Sequence, residues 1–484
     1  MKVIKRTAML ALMLVMILMA ACGGSNGGGT NDGTSDNGSA NNRSTDNGGN
    51  AGANNGSTDE GSTDGGEGDE AAPREEKFDL GGREIRISAW WDQTPKADTE
   101  EGEKMLERIK RVEEKYNVKI TFLNTDYWET ANKVSSTVLA GEPFAEIVNL
   151  PDGFIWGLLA GGFLTPLSDY IDFANESVLP PDLIEAMKFG TNKVWAFYPP
   201  YAPNMTGLIY NKTLFEEAGL KTPQQLMDED NWNWDTFLDA AIKLTKDKNG
   251  DGTIDQYGVA VAHYMIAPYL VFSNEANYYD EANRKVVFDS PNAMEAFNFM
   301  YDLYNKHKVI KPNVGDPWND PSRYFAAGEV AMYPGGTWEM GPRIGADVID
   351  WGYVYLPKGP KATQYVDPMT QAVGIVIPKG VEDPRAVYLI WQDLQDFEGA
   401  HENRVAWAER TMPDEPSMRN VLNLDGKMKQ VFGRYGGLGI QDALYPITEG
   451  FITGAETPAS GIAKVVAQAQ AKVDEILASV QQVE

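Results

Sequence analysis

Hydrophobic and polar residues alternate over short stretches near the start of the folded part of the chain, at 83–88 and 118–122, and an apolar run follows at 147–150. Such patterns predict β-strands. Between them, apolar residues recur at helical spacing over 105–116 and 128–139. Strand, helix, strand, helix, strand is the order that right-handed crossovers produce in a parallel sheet. The pattern therefore predicts an α/β lobe.

A Pro-rich turn between two strands marks the place where the chain leaves this lobe. Residues 194–198 are β-branched and aromatic, prolines follow, and 208–210 is a second apolar run. Proline interrupts strand pairing, so the two runs are predicted to be separate strands. The helix expected at 214–218 has Asn211 or Thr213 as its cap. We expect this stiff turn to cross from one lobe to a second.

The remaining pattern predicts the elements of the second lobe. Apolar spacing predicts helices at 234–245 and 294–304, and 328–333 is expected to be a strand. A strand at 353–356 is interpreted as the return of the chain to lobe one. Apolar residues spaced over 462–477 predict a C-terminal amphipathic helix.

About 400 residues follow position 77, which is too many for one ordinary core and suits two lobes. We predict an α/β fold with a mainly parallel sheet in each lobe, flanked by helices. Lobe one is expected to comprise 78–200 and 356–398, and lobe two 201–355 and 399–484.

The N-terminus carries three basic residues and then an apolar run that ends at residue 21. This run is too short to span a membrane and is typical of a signal peptide. Residues 19–22, Met-Ala-Ala-Cys, resemble a lipobox, which implies cleavage after residue 21 and lipidation of Cys22. An ordinary secretory signal with a chance cysteine is the alternative. Because Cys22 is the only cysteine, a disulfide within one molecule is excluded.

Residues 22–77 are rich in Gly, Asn, Ser and Asp and contain almost no large apolar side chain. Such a segment buries too little surface to offset its ordering entropy, so we expect a disordered tether with an r.m.s. span of about 40 Å. The net charge of the chain is −28. The signal carries three positive charges and residues 23–76 carry nine net negative ones, which leaves −22 on residues 77–484. This charge argues against nucleic acid and anionic lipid as partners.

Three motifs resemble those of one family. They are GLIYNKTLFEEAGL at 207–220, the G-x-x-A-M and G-x-W pair at 328–338, and GIVIPKG at 374–380. All three are similar to motifs of the bacterial extracellular solute-binding proteins of ABC importers, the carbohydrate-binding cluster especially. The resemblance implies a two-lobed type II periplasmic-binding-protein-like fold. It also implies a monomer, which a lipid anchor attaches to the extracellular face of the cell membrane. It also implies an oligosaccharide or related polyhydroxylated ligand and ABC permease subunits as partners.

In open α/β lobes, ligands bind beyond the carboxyl ends of the strands. Aromatic rings stack on sugar faces, while carboxylates and amides pair with hydroxyl groups that are costly to bury alone. Trp90 and Trp91 are adjacent, so strand alternation predicts that only one of them faces the cleft. The predicted ligand-binding residues follow strands or lie at the crossing: Trp90, Trp91, Asp92, Asp152, Phe154, Tyr198, Tyr201, Trp338 and Glu339.

A second candidate site is a loop with the oxygen spacing of an EF-hand, which predicts a structural calcium ion. Its departure from that pattern is Gly258 at position 12, where a bidentate glutamate is usual. The alternative is an acidic turn without metal. The resemblance adds a ligand after position 9, so the predicted set is Asp247, Asn249, Asp251, Thr253, Asp255 and Gln256.

Catalysis has little support in the sequence. The three histidines are isolated, and neither a nucleophile elbow nor a phosphate loop occurs in the folded part. The chain is therefore not expected to be an enzyme, although two carboxylates suffice for glycoside hydrolysis. Two alternatives stay open: a surface enzyme that acts on glycans, and a ligand-binding partner of a membrane sensor.

Overall fold

The computed structural model describes residues 78–483 except 176, 178, 180, 200–205, 369–372 and 432–434. The predicted signal segment, Cys22 and the predicted tether lie outside these residues. The described strands are β1 (Arg83–Ala89), β2 (Val118–Asn124), β3 (Ile147–Pro151), β4 (Thr206–Asn211), β5 (Tyr257–Val259), β6 (Tyr279–Asp280), β7 (Lys285–Val286), β8 (Val330–Gly336), β9 (Trp351–Val354), β10 (Tyr365–Asp367), β11 (Val373–Val376) and β12 (Met428–Gln430).

The described α-helices connect and cover these strands. They are α1 (Glu100–Tyr116), α2 (Thr130–Leu139), α3 (Ile155–Ala160), α4 (Pro181–Ala186), α5 (Lys212–Glu217), α6 (Pro223–Asp228), α7 (Trp234–Leu244), α8 (Ile266–Ser273), α9 (Pro291–Asn305), α10 (Asp320–Ala326), α11 (Pro384–Leu394), α12 (Ala400–Thr411), α13 (Glu415–Val421), α14 (Ile440–Thr453) and α15 (Pro458–Val483). None of these helices combines the length and the apolar composition that a membrane crossing requires.

Lobe one is built on a sheet of order β2-β1-β3-β11. Strand β1 pairs in parallel with β2 and β3, and β11 runs antiparallel to β3. The three strands and two helices predicted in this part are confirmed. Each face of the sheet has its own apolar cluster: Ile87 packs with α1 and α11, while Leu150 packs with α2 and α3. The sheet is therefore buried on both sides, as parallel sheets are.

Lobe two is built on a sheet of order β5-β8-β4-β9. Strand β4 is antiparallel to both β8 and β9, and only β5 and β8 are parallel. The prediction of a mainly parallel sheet is wrong here, because a buried strand has the same apolar run in either direction. The predicted return strand is also wrong: β9 pairs with β4 inside this sheet, with Leu208 opposite Val354.

The predicted crossing is only partly regular. Within 194–198, Phe197 makes a single bridge to Ile375, and no strand of lobe one or lobe two includes this stretch. Helix α5 begins at Lys212, two residues before the predicted start, and the predicted cap Asn211 accepts a hydrogen bond from the backbone nitrogen of Leu214 at 3.2 Å. This bond satisfies one of the free backbone donors at the start of the helix.

The chain passes between the lobes again before β11 and after α11. The C-terminal helix α15 packs on α14 and also on α3 of lobe one. A Cβ atom at Gly162, just after α3, would lie 3.1 Å from the Val483 side chain. The C-terminal helices therefore contact lobe one at α3, which follows the carboxyl end of β3.

Candidate functional site

A cavity of about 1850 Å³ lies at the carboxyl ends of the strands of lobe one. Residues of lobe two and of the C-terminal helices complete its walls. The residues that follow β1, β2 and β3 supply the lobe-one wall, and loops and helices supply the facing wall. Ligands of open α/β lobes bind beyond the carboxyl ends of the strands, which we call the strand-end rule, and the cavity has this position.

Five aromatic rings form the lobe-one wall. Trp90 lies edge to face with Trp91 at 4.6 Å and with Tyr127 at 5.4 Å, measured between ring centroids. Tyr127 in turn meets Phe154 at 5.7 Å and Trp128 at 4.8 Å. Edge-to-face contacts of this kind hold the rings in fixed orientations. The wall therefore presents a continuous row of aromatic surface.

Both Trp90 and Trp91 line the cavity, so the prediction that only one of them faces it is wrong. Strand β1 ends at Ala89, and the chain bends at the two tryptophans. Alternation of side chains holds only inside an extended strand. The bend allows both rings to reach the same space.

The facing wall carries Trp338, which was predicted, and four rings that were not. Trp318 stacks on Tyr264 with centroids 6.2 Å apart and planes 5° apart. Trp338 follows β8, and a Cβ atom at Gly336 would lie 1.9 Å from its ring. Glycine at 336 therefore makes room for the indole. Tyr435 and Tyr445 complete this wall.

The polar lining of the cavity is mostly uncharged. Amide and hydroxyl groups come from Gln93, Asn132, Ser135, Asn149, Gln395 and Gln441. Among the described lining residues the charged side chains are Asp152, Asp442 and Lys472. Lys472 forms an ion pair with Glu475 at 2.9 Å. The arrangement suits a neutral ligand that has many hydroxyl groups.

Asp152 follows β3 and is buried, and it accepts a hydrogen bond from the Tyr198 hydroxyl at 3.4 Å. Burial, with a smaller effect of the Asp152 charge, raises the pKa of Tyr127 to about 12. Tyr127 is therefore a neutral hydroxyl at physiological pH. It can donate a hydrogen bond to a ligand as well as stack on it.

Three predicted ligand-binding residues do not line the cavity. Asp92 is exposed and accepts a hydrogen bond from the backbone nitrogen of Thr94. Tyr198 is buried in the apolar cluster of lobe one. Glu339 is buried behind the facing wall, where burial raises the pKa of its carboxyl. Tyr201 lies outside the described residues.

Residues that the sequence prediction missed fall into two groups. Tyr127 and Trp128 follow β2, so the strand-end rule applied to that strand finds them. Tyr264, Trp318, Tyr435 and Tyr445 lie outside such positions, and none of the family motifs includes them. Only the packing of lobe two brings these four rings to the cavity.

The loop 247–255 holds its acidic residues in turns. Asp247 accepts a hydrogen bond from the backbone nitrogen of Gly252 at 2.8 Å, which is the largest cause of its lowered pKa. Asp255 accepts one from the backbone nitrogen of Lys248 at 2.7 Å. Among the residues that the structure describes, no three acidic, histidine or cysteine side chains converge as they would around a metal ion.

Two positions of the loop depart from a full calcium ligand set. The Gln256 side chain is buried and donates a hydrogen bond to the carbonyl oxygen of Leu244 at 2.7 Å, so it turns toward the interior. At Gly258 a Cβ atom would lie 2.3 Å from the carbonyl oxygen of Ala241. Close packing of β5 on α7 therefore excludes a glutamate at position 12. The predicted ligands that remain are Asp247, Asn249, Asp251, Thr253 and Asp255, and calcium binding stays a prediction.

Comparison with known proteins gives a family match. The family model described as bacterial extracellular solute-binding protein matches residues 96–392. The multiple sugar-binding protein of Streptococcus mutans is 23% identical over 258 residues, which are 49% of this chain and 54% of that protein. The match thus spans about half the length of that relative.

Solved structures of low sequence identity share the fold. A solute-binding protein from Thermotoga lettingae bound with alpha-D-tagatose is 22% identical, with a TM-score of 0.58 over 81% of this chain and 99% of that one. A substrate-binding protein from Listeria monocytogenes in complex with cycloalternan is 19% identical, with a TM-score of 0.59 over 82% and 99%. The maltodextrin-binding domain from Bdellovibrio bacteriovorus bound to maltotriose is 16% identical, with a TM-score of 0.56 over 82% and 100%. These matches confirm the two-lobed type II fold.

Proposed function

This chain belongs to the bacterial extracellular solute-binding proteins, and from that membership we propose that it captures an oligosaccharide or a related polyhydroxylated solute for an ABC importer. The solute binds in the cavity between the lobes. Binding shifts an equilibrium between open and closed forms toward the closed form. The closed form then delivers the solute to the permease subunits.

The observation that carries this proposal is the pair of aromatic walls with uncharged polar groups between them. Trp90 and Phe154 stand on one wall, and Trp318 and Trp338 on the other. Rings stack on the apolar faces of a pyranose, while amides such as Asn149 take its hydroxyl groups. A buried hydroxyl without a partner costs about 1–3 kcal/mol, so both kinds of group are needed.

The site of action follows from the N-terminal sequence. Lipidation at Cys22 anchors the chain to the extracellular face of the cell membrane, and the tether 22–77 lets the monomeric body reach its permease. A lipid anchor of more than one acyl chain gives stable attachment. The body, with a charge of −22, is repelled by anionic headgroups and contacts the membrane only through that anchor. In this role the protein binds its ligand without changing it chemically.

Titration of mono- and oligosaccharides, followed by tryptophan fluorescence, tests the proposal. We expect saturable changes with one class of sugar. Trp338→Ala should weaken binding roughly tenfold or more, because one stacked ring contributes about 1–3 kcal/mol. Trp407→Ala is the matched control, since Trp407 packs outside the cavity. No response to any sugar, together with a response to peptides or ions, would overturn the carbohydrate assignment.

A further inference from the structure

The cavity extends past the edge of the lobe-one sheet to the sheet's other face. Val148 and Leu150 belong to the apolar cluster of α2 and α3, whereas Ile87 and Ile375 belong to that of α1 and α11. Side chains from both clusters line the same cavity. The cavity therefore reaches side chains of β1 and β11 that pack with helices α1 and α11.

We call this part the lobe-one chamber. Its walls on the far side of the sheet are apolar: Ile87, Met105, Phe122, Ile375, Trp391 and Leu394. Met105 and Phe122 are only partly buried, while the other four are buried. Among the described lining residues that share this side, none is charged. A sugar ring placed here would leave its hydroxyl groups without partners.

One polar group in the lining stands apart. Gln93 follows the two tryptophans of the lobe-one wall and lines the cavity. Its Oε1 atom is buried and has no hydrogen-bond partner among the described residues. Buried polar atoms are nearly always paired, so an unpaired one beside a cavity marks a place for a ligand donor. Gln93 is an acceptor for a hydroxyl group.

We propose that the ligand is an aryl glycoside, whose sugar lies between the aromatic walls and whose aryl group enters the lobe-one chamber. A hydroxyl group on the ring donates to Gln93 Oε1. This inference rests on the proposed function, because the sugar site fixes where the aryl group begins. The chamber adds a substrate class: solutes that join a polar sugar to a flat apolar group.

The experiment uses the methyl, phenyl and 4-hydroxyphenyl β-glycosides of glucose, galactose, mannose and xylose, titrated calorimetrically into the full chain. For the sugar that binds, the phenyl glycoside should bind roughly ten- to a hundredfold more tightly than the methyl glycoside, because a ring is buried in the chamber. The 4-hydroxyl group should add roughly a further three- to tenfold.

Three variants separate the contributions. Met105→Trp fills the chamber and should abolish the preference for phenyl. Leu106→Trp is the matched control, because Leu106 is the next residue of α1 and is 39% exposed. It should keep the full preference. Gln93→Leu should remove the gain from the 4-hydroxyl group. Thermal melting of each variant verifies that it folds.

The outcomes distinguish this inference from the proposed function. If no phenyl glycoside binds more tightly than its methyl counterpart, the chamber is not a ligand site and the inference is overturned. The same holds if Met105→Trp keeps the preference. The sugar assignment falls as well only if the wider panel of mono- and oligosaccharides gives no response.

Discussion

Arg343 lies behind the facing wall of the cavity and holds one of its rings. Its guanidinium is 5.5 Å from the centroid of the Trp318 ring, and it donates a hydrogen bond to Asn319 Oδ1 at 2.8 Å. Glu339 forms an ion pair with it at 3.5 Å. Glu339, predicted to bind ligand, is therefore placed to orient Arg343, and through it Trp318. The residue positions the wall from behind.

Arg343→Met is expected to weaken sugar binding roughly three- to thirtyfold, because a cation–π contact contributes about 0.5–2 kcal/mol to the orientation of a ring. Calorimetric titration measures this change. Arg343→Lys keeps the charge but loses the planar fork, so it should restore only part of the affinity. Lys243→Met, in an exposed ion pair on α7, is the control. Equal affinities for Arg343→Met and the unmodified chain would show that Trp318 needs no support.

His263 makes the unfolding free energy depend on pH. Its Nε2 atom is 2.9 Å from the hydroxyl oxygen of Tyr445, which lines the cavity. Burial lowers the pKa of His263 below the value of 6.5, and Glu449 opposes this only in part. The unfolded chain therefore binds the proton more readily, and stability is present above that value and lost as the pH falls through the folded pKa.

We therefore expect the melting temperature to fall as the pH is lowered from about 7 to about 5.5. His263→Gln removes the titrating group and should flatten this part of the profile. His307→Gln serves as the control and should keep the slope. A profile of unchanged slope in His263→Gln would assign the pH dependence to other groups.

At the scale of elements, the packing of β5 on α7 explains why glycine occupies position 12 of the EF-hand-like loop. Strand β5 lies so close to helix α7 that only glycine fits at position 258. The loop between them, 247–255, keeps its carboxylates in hydrogen-bonded turns that place Asp247 and Asp255 near backbone donors. The packing that forms the lobe thus removes the strongest ligand of an EF-hand. Calcium affinity should accordingly be low.

We expect calcium to raise the melting temperature by about 1–3 °C at concentrations well above a dissociation constant on the order of 10⁻⁴–10⁻³ M. Chelator should reverse the rise. Asp247→Ala should abolish it, whereas Asp239→Ala, in an exposed position on the preceding helix, should not. Differential scanning calorimetry with and without calcium decides this; identical curves would mean that the loop is a plain acidic turn.

At the scale of the whole molecule, Asp367 joins two chain segments that lie next to successive lobe crossings. It is fully buried at the end of β10, just before the second passage between the lobes. It accepts hydrogen bonds from the backbone nitrogen of Thr206 at 3.0 Å and from Gln430 Nε2 at 3.1 Å. Thr206 begins β4 after the first passage, so one carboxylate fixes both.

Asp367→Asn is expected to lower the unfolding free energy by about 2–4 kcal/mol, because it weakens charge-assisted hydrogen bonds inside the protein. Hydrogen exchange should show lost protection of the Thr206 amide before any general change. Asp350→Asn, whose carboxylate is largely exposed, is the control. If the Thr206 amide keeps its protection, the carboxylate does not organise the crossing.

Local pattern in the sequence was sufficient for several features. The first three strands and two helices of lobe one, the cap at Asn211 as one of two candidates, and the aromatic residues that follow β1, β3 and β8 were predicted, because periodicity, capping chemistry and the strand-end rule depend on neighbouring residues only. The family motifs also predicted two lobes, and comparison with solved structures confirmed them.

Tertiary structure alone decided the direction of β4 against β8 and β9, the four additional rings of the facing wall, and the burial of Tyr198 and Glu339. Each depends on segments that lie far apart in sequence and meet only when the lobes pack. The sequence of an apolar strand is the same whichever strand it pairs with. An acidic residue in the sequence likewise does not show whether its carboxylate faces the ligand or the core. The burial of a side chain and the pairing of a strand are properties of the packed molecule, so the pattern along the chain could not predict them.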